Sequence, residues 1–146
     1  QYIPPSATVL DLGSGAGFPG VVISLMQGNK VILIEKDARK CAFLHQVKAI
    51  TDANIEIRNL RIEKTSFTGV DIITARAFAS LLKILELSHK FMSDHTKLVL
   101  SKGAEYKQEL AQAKASGWKF EQIIKESVTD KEAVILILSD IRWAKS

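Results

Sequence analysis

The chain has 146 residues, 47% of them hydrophobic and 25% charged, with a net charge of +4. That balance describes a folding domain with a proper core, and no apolar run nears the roughly 20 residues needed to cross a bilayer. The single cysteine, Cys41, excludes an intrachain disulfide, no Cys/His cluster has zinc spacing, and the mild positive charge permits a nucleic-acid partner without requiring one.

No signal-peptide pattern opens the chain, and no repeat or linker interrupts it. One domain over residues 1–146 in a reducing cytoplasm is therefore expected. Val9, Leu10 and Leu12 form a short apolar run of the kind buried in a parallel sheet. Gly13, Gly15 and Gly17 follow at every second position, then Pro19, a residue suited to the first turn of a helix. Val21, Val22, Ile23, Leu25 and Met26 continue as that helix. A glycine turn under a helix N-terminus suits a nucleotide-like ligand.

The glycines alone do not say which nucleotide. Gly15 to Gly20 fit G-x-G-x-x-G, the dinucleotide pattern. Asp11 to Gly17 fit D-x-G-x-G-x-G, the pattern of S-adenosylmethionine enzymes. A carboxylate at Asp11 would repel a pyrophosphate and attract a sulfonium or ammonium, which favours the second.

Gly28-Asn29 ends the first helix, and Val31 to Ile34 form a second buried strand closed by Glu35. An acid at that strand end is placed for the hydroxyls of a ribose, or else it is simply a solvated strand-end group. Asp37 caps a helix running to about Ile50, with Lys36, Arg39 and Lys40 crowding its first turn. Those cations face either solvent or an external anion such as RNA phosphate.

A third strand runs from Ile55 to Asn59, followed by a loop, Leu60-Arg61-Ile62-Glu63. Loops at strand C-termini converge on the ligand crevice of such a sheet. Ile62 then offers an apolar surface for an adenine ring and Glu63 a partner for its polar edge, or the segment is a plain loop. Val70 to Ala75 is a fourth strand, and Arg76 just beyond it faces the same crevice. A helix from Leu81 to about Phe91, a strand from Lys97 to Leu100 and a helix from Tyr106 to Ala115 follow. Lys119 to Lys125 and Ala133 to Ser139 read as two strands joined around Thr129-Asp130. His45, His89 and His95 are scattered and read as surface or helix-face residues.

The whole is a doubly wound α/β domain, a mostly parallel seven-stranded sheet with a terminal antiparallel hairpin. Simple dinucleotide folds lack that hairpin, whereas Rossmann-like S-adenosylmethionine-dependent (class I) methyltransferases carry it.

The chain resembles a particular family. Asp11 to Gly20, with Pro19-Gly20 after the third glycine, is similar to its nucleotide motif. Arg39-Lys40 with Phe43-Leu44, Arg61-Ile62-Glu63, the block Thr74-Ala75-Arg76-Ala77-Phe78-Ala79-Ser80-Leu81 and Lys102-Gly103 match further blocks in order. The family is the ribosomal RNA small-subunit methyltransferase G, or glucose-inhibited division protein B, group.

The resemblance implies methyl transfer from S-adenosylmethionine to guanine-N(7) in bacterial 16S ribosomal RNA; a cytoplasmic monomer is the accompanying expectation. It puts cofactor contacts on Gly13, Phe18, Ile62, Glu63 and Arg76. Glu35 stands where the family has an acid on the ribose, usually an aspartate one methylene shorter. The family's helical segment before the glycine strand, with its His-x-x-Asp-Ser block, has no counterpart in this sequence.

Guanine-N(7) carries a lone pair and no proton, so the reaction asks for alignment rather than a general base. None is nominated, and the sequence shows no obvious paired carboxylates or Ser/His/Asp set. Arg76 and Lys102 are candidates for guiding RNA or the methionine carboxylate, or for purely structural roles. Two rival readings are an NAD(P)-dependent oxidoreductase, from the literal dinucleotide pattern, and a non-catalytic RNA-binding or assembly module that keeps the fold.

Overall fold

The computed structural model describes residues 3–13, 20–66, 68–76, 79–126 and 133–144, with the side chains of Val21 and Arg76 outside that description. Seven strands form one sheet in the order β3-β2-β1-β4-β5-β7-β6. They are β1 (Val9–Leu12), β2 (Val31–Ile34), β3 (Ile55–Arg58), β4 (Ile72–Arg76), β5 (Lys97–Lys102), β6 (Trp118–Glu126) and β7 (Val134–Trp143). The first five are parallel, and β7 runs antiparallel to both β5 and β6. Helices α1 (Gly20–Gln27), α2 (Ala38–Ile50), α3 (Leu81–Ser88) and α4 (Tyr106–Ala115) make the crossovers.

Alternation along the central strands sorts the core into two layers. Leu10, Leu12, Ile32 and Ile34 point to one face, where Leu81, Ile84 and Leu85 of α3 and Leu110 and Ala113 of α4 cover them. Val9, Val31 and Leu33 point to the other, against Ile23 of α1 and Leu44 and Val47 of α2. Because both faces are covered, β1 and β2 are buried along their whole length. The chain reverses direction across the sheet between β1 and β4, so a crevice opens beyond their C-terminal ends.

Several expected boundaries shift. The loop after β3 contains a 3₁₀ turn, Ile62–Lys64. The fourth strand starts at Ile72, so Arg76 closes it rather than following it. Val70 is buried, but the chain there is still turning: Thr8 O accepts from both Asp71 N and Ile72 N. The third helix stops at Ser88, and a 3₁₀ turn, His89–Phe91, carries Phe91 into the core. Strand β7 runs on to Trp143 because β6 pairs with it that far, Trp118 opposite Trp143, with the two rings 4.9 Å apart. Pro19 and the Thr129-Asp130 turn lie outside the described residues.

Candidate functional site

A cleft of about 470 Å³ opens at the C-terminal ends of β1, β2 and β3. Gly13 comes to it from the end of β1, Glu35 and Lys36 from the end of β2, and Leu60, Arg61, Ile62 and Glu63 from the segment after β3. Ala79, Lys83 and Leu87 close it from the start and body of α3. Four of the six residues expected at a cofactor site, Gly13, Glu35, Ile62 and Glu63, thus meet in one place although up to 50 positions separate them (63 − 13). Phe18 lies outside the described residues. Arg76 ends β4 next to β1, with Ser101 of β5 opposite it. Nothing is described of its side chain.

Each element presents its residue for a local reason. Gly13 turns the chain out of β1 at φ +64°, a left-handed conformation that costs an L side chain roughly 1–2 kcal/mol. Its N–H is held by Ile34 O at 3.0 Å, which ties the turn to the end of β2. Glu35 is buried at the cleft wall, and its Oε2 accepts from Asp37 N at 3.0 Å. Its carbonyl accepts from Asn59 Nδ2 at 3.0 Å and from the Cys41 thiol at 3.3 Å. Asn59 also donates to Lys36 O, so one amide stitches the ends of β2 and β3 together. Asp37 caps α2 through Arg39 N and Lys40 N, as its position suggests. The 3₁₀ turn is pinned from outside, Lys90 Nζ donating to Ile62 O at 2.6 Å.

The charge layout is mixed. Lys36, Lys40, Arg61 and Lys83 line the cleft beside Glu35 and Glu63. Inside the wall, burial pushes the Cys41 thiol up, and the Glu35 and Asp37 carboxylates add to it against an opposing contribution from Asn59. Among the described residues no group of His, Cys, Asp and Glu is arranged to hold a metal ion.

One sequence expectation changes and one open choice narrows. Asp11, expected to attract a cationic ligand, is fully buried and turns its carboxylate inward. Its Oδ2 accepts from Gly20 N at 3.1 Å and its Oδ1 from the Thr74 hydroxyl at 2.9 Å. The negative charge sits at the positive end of α1 and fixes that helix to β1 and β4. Lys102, read either as a guide for RNA or carboxylate or as structural, is also buried, with its ammonium bound to Ala79 O and to Glu109, in line with the structural alternative. Asn59, Leu60, Lys83, Leu87 and Glu109 are residues the sequence reading did not single out. Asn59 and Leu60 fall directly after β3, where position alone is a usable signal; Glu109 belongs to α4 and has no local signal.

The donor set can be tested for a nucleoside. Leu60, Ile62 and Leu87 give an apolar wall for a flat ring, Glu35 gives acceptors for paired hydroxyls, and Gly13 leaves the backbone bare. Those residues fit the adenosine part of S-adenosylmethionine, while the charge of the cleft, with Lys36, Lys40, Arg61 and Lys83 beside Glu35 and Glu63, does not by itself exclude a diphosphate.

Comparison with known proteins agrees. The model of the rRNA small subunit methyltransferase G family (GidB) matches residues 1–137. The ribosomal RNA small subunit methyltransferase G of Gluconobacter oxydans (strain 621H) is 39% identical over 142 residues, spanning 97% of this chain and 73% of that one. The protein of the same name from Rickettsia bellii (strain OSU 85-389) is 42% identical over 142 residues, spanning 97% and 72%. Among solved structures, a TehB-like SAM-dependent methyltransferase from Corynebacterium glutamicum superposes with a TM-score of 0.68 at 20% identity, over 94% of this chain and 82% of that one. That last likeness speaks to the fold.

Proposed function

This chain belongs to the rRNA small subunit methyltransferase G family, and from that premise we propose that it methylates N(7) of a guanine in 16S ribosomal RNA. Membership makes it an S-adenosylmethionine-dependent methyltransferase of small-subunit rRNA. The choice of atom, the residues that hold the cofactor and the state of the RNA are the proposal. The observation that carries it is the convergence of Gly13, Glu35, Ile62 and Glu63 on one cleft at the sheet's point of reversal.

In this reading Glu35 accepts the ribose hydroxyls, Ile62 packs on the adenine, and Glu63 or its backbone meets the adenine edge. Gly13 leaves room for the methionine part, and Phe18 and Arg76 complete the set. S-adenosylmethionine supplies, when bound, a methyl group activated by a sulfonium, which the in-plane lone pair of guanine-N(7) takes without losing a proton. The protein therefore needs no general base. Its residues hold donor and acceptor in line and keep water out, the contribution expected of alignment. Lys36, Lys40, Arg61 and Lys83 around the cleft suit an RNA backbone passing over it. We take the protein to act in the cytoplasm as a monomer, on the small subunit or its precursor; among the described residues no helix is long and apolar enough to cross a membrane.

Thermal-shift titration separates this reading from a dinucleotide enzyme, because a ligand that binds only the folded chain raises its melting temperature. S-adenosylhomocysteine should stabilise the protein and NAD should not. The reverse result would remove the proposal.

A further inference from the structure

A second cleft, of about 460 Å³, lies on the other side of Ala79 from the first. Ala79 lines both, so the short turn it belongs to is the partition between them. That turn is held at each end by a group from far along the chain. Lys102, the last residue of β5, donates from Nζ to Ala79 O at 2.8 Å and to Glu109 Oε1 at 2.9 Å. The same Glu109 oxygen accepts from Leu81 N at 2.7 Å. Between them Ser80 caps α3, its Oγ accepting from Lys83 N at 3.3 Å.

We infer that Lys102 and Glu109 are positioning residues, a clamp that sets the Ala79–Leu81 partition and with it the register between the cofactor cleft and the acceptor base. The inference rests on the methyltransferase reading. Neither group lines the cofactor cleft, and the Lys102 side chain is only 6% exposed. Glu109 is partly exposed, 21% at the side chain, but a buried lysine charge is seldom a more stable choice than an apolar side chain, so its use here points to a task of positioning. Both ends of the turn supply that task. The Leu81 N–H is one of the donors a helix start leaves without an internal partner, and the Glu109 charge lies at the positive end of α3. The Ala79 carbonyl is fixed by a charged donor, which holds tighter than water would. Methyl transfer depends on in-line alignment, and a shift of about 1 Å in such a wall costs on the order of a hundredfold in rate.

The test uses Lys102→Met, Glu109→Ala, their combination and Glu109→Gln, which keeps an acceptor oxygen. Three readings are taken below each variant's melting temperature: single-turnover methylation of 16S rRNA, S-adenosylhomocysteine affinity by calorimetry, and hydrogen exchange at the Leu81 amide. Lys102→Met and Glu109→Ala should each slow transfer by roughly tenfold or more. Cofactor affinity should move by less than about threefold, and the double variant should be little worse than the poorer single one. Glu109→Gln should stay within about threefold of the parent rate, and the Leu81 amide should exchange at least about tenfold faster in Glu109→Ala. Should Lys102→Met fail to fold, Lys102→Arg keeps the charge, moves the donor and carries the rate measurement. Unchanged transfer in the folded single variants would overturn the clamp, as would cofactor affinity falling in step with rate. If the parent protein transfers no methyl group, the family-level reading is what fails; the clamp is then judged on Leu81 exchange, and an unchanged rate there refutes it.

Discussion

Cys41 shows how far burial governs chemistry at a single residue. The residue is 4% exposed, and its thiol donates to Glu35 O and is pushed up by burial and then by the Glu35 carboxylate. A thiol held neutral is a poor nucleophile, so the folded protein should react with a thiol-modifying reagent far more slowly than the denatured chain at the same pH. Folding keeps the proton on longer than the unfolded chain does. The contribution to stability is therefore present below the usual thiol value and is lost as pH rises past it, which chemical denaturation on the alkaline side will register. Glu35 offers a sharper test of the proposed site. Glu35→Ala removes acceptors for charged hydrogen bonds worth about 1.5–3 kcal/mol, and should weaken S-adenosylhomocysteine roughly ten- to hundredfold by calorimetry. The place of Glu35 at the cleft was legible in the sequence because it closes an apolar run downstream of the glycine turn. The inward turn of Asp11 was not, since its partner Thr74 lies 63 positions away on β4.

At the scale of elements, the join between β1 and α1 carries the site's geometry. A Cβ added at Gly20 would lie 2.5 Å from Leu33 Cδ2 and 2.8 Å from Asp11 Oδ2, so only glycine lets α1 start this close to the sheet. Gly20→Ala should cost about 1–3 kcal/mol, a fall of roughly 2–4 °C in melting temperature per kcal/mol for a chain of this size. Thr74→Val should act on the same join through another contact. It removes a donor from a buried carboxylate, and should cost about 1.5–3 kcal/mol in urea denaturation. The strands were readable as apolar runs wherever the sheet buries them on both faces, which is true of β1 and β2. Ends were less readable where pairing rather than composition sets them. Val70 is as apolar as a strand residue yet precedes the ladder, and Asp140, at φ +49° in β7, lies near the irregular pairing of β6 between Lys119 and Glu121. The Lys102–Glu109 contact spans only 7 positions, but the groups it holds, Ala79 O and Leu81 N, lie 23 and 28 positions from their partners and are set by packing.

For the whole molecule, the order β3-β2-β1-β4-β5-β7-β6 brings the ends of β1, β2 and β3 around one cleft and the partition after β4 to its edge. The first five strands and the terminal hairpin could be anticipated from apolar runs, the alternation of β3 and turn residues. The packing of α3 between two clefts could not. The central claim is that this architecture aligns a guanine-N(7) lone pair with a methyl donor held above Gly13. The most direct measurement is incubation of the full protein and unmodified small-subunit rRNA with methyl-labelled S-adenosylmethionine, followed by mapping of the labelled nucleotide. Label confined to one guanine, recovered as 7-methylguanosine, is the predicted result. Label at another atom or base, or none from a folded protein that binds S-adenosylhomocysteine, would contradict it.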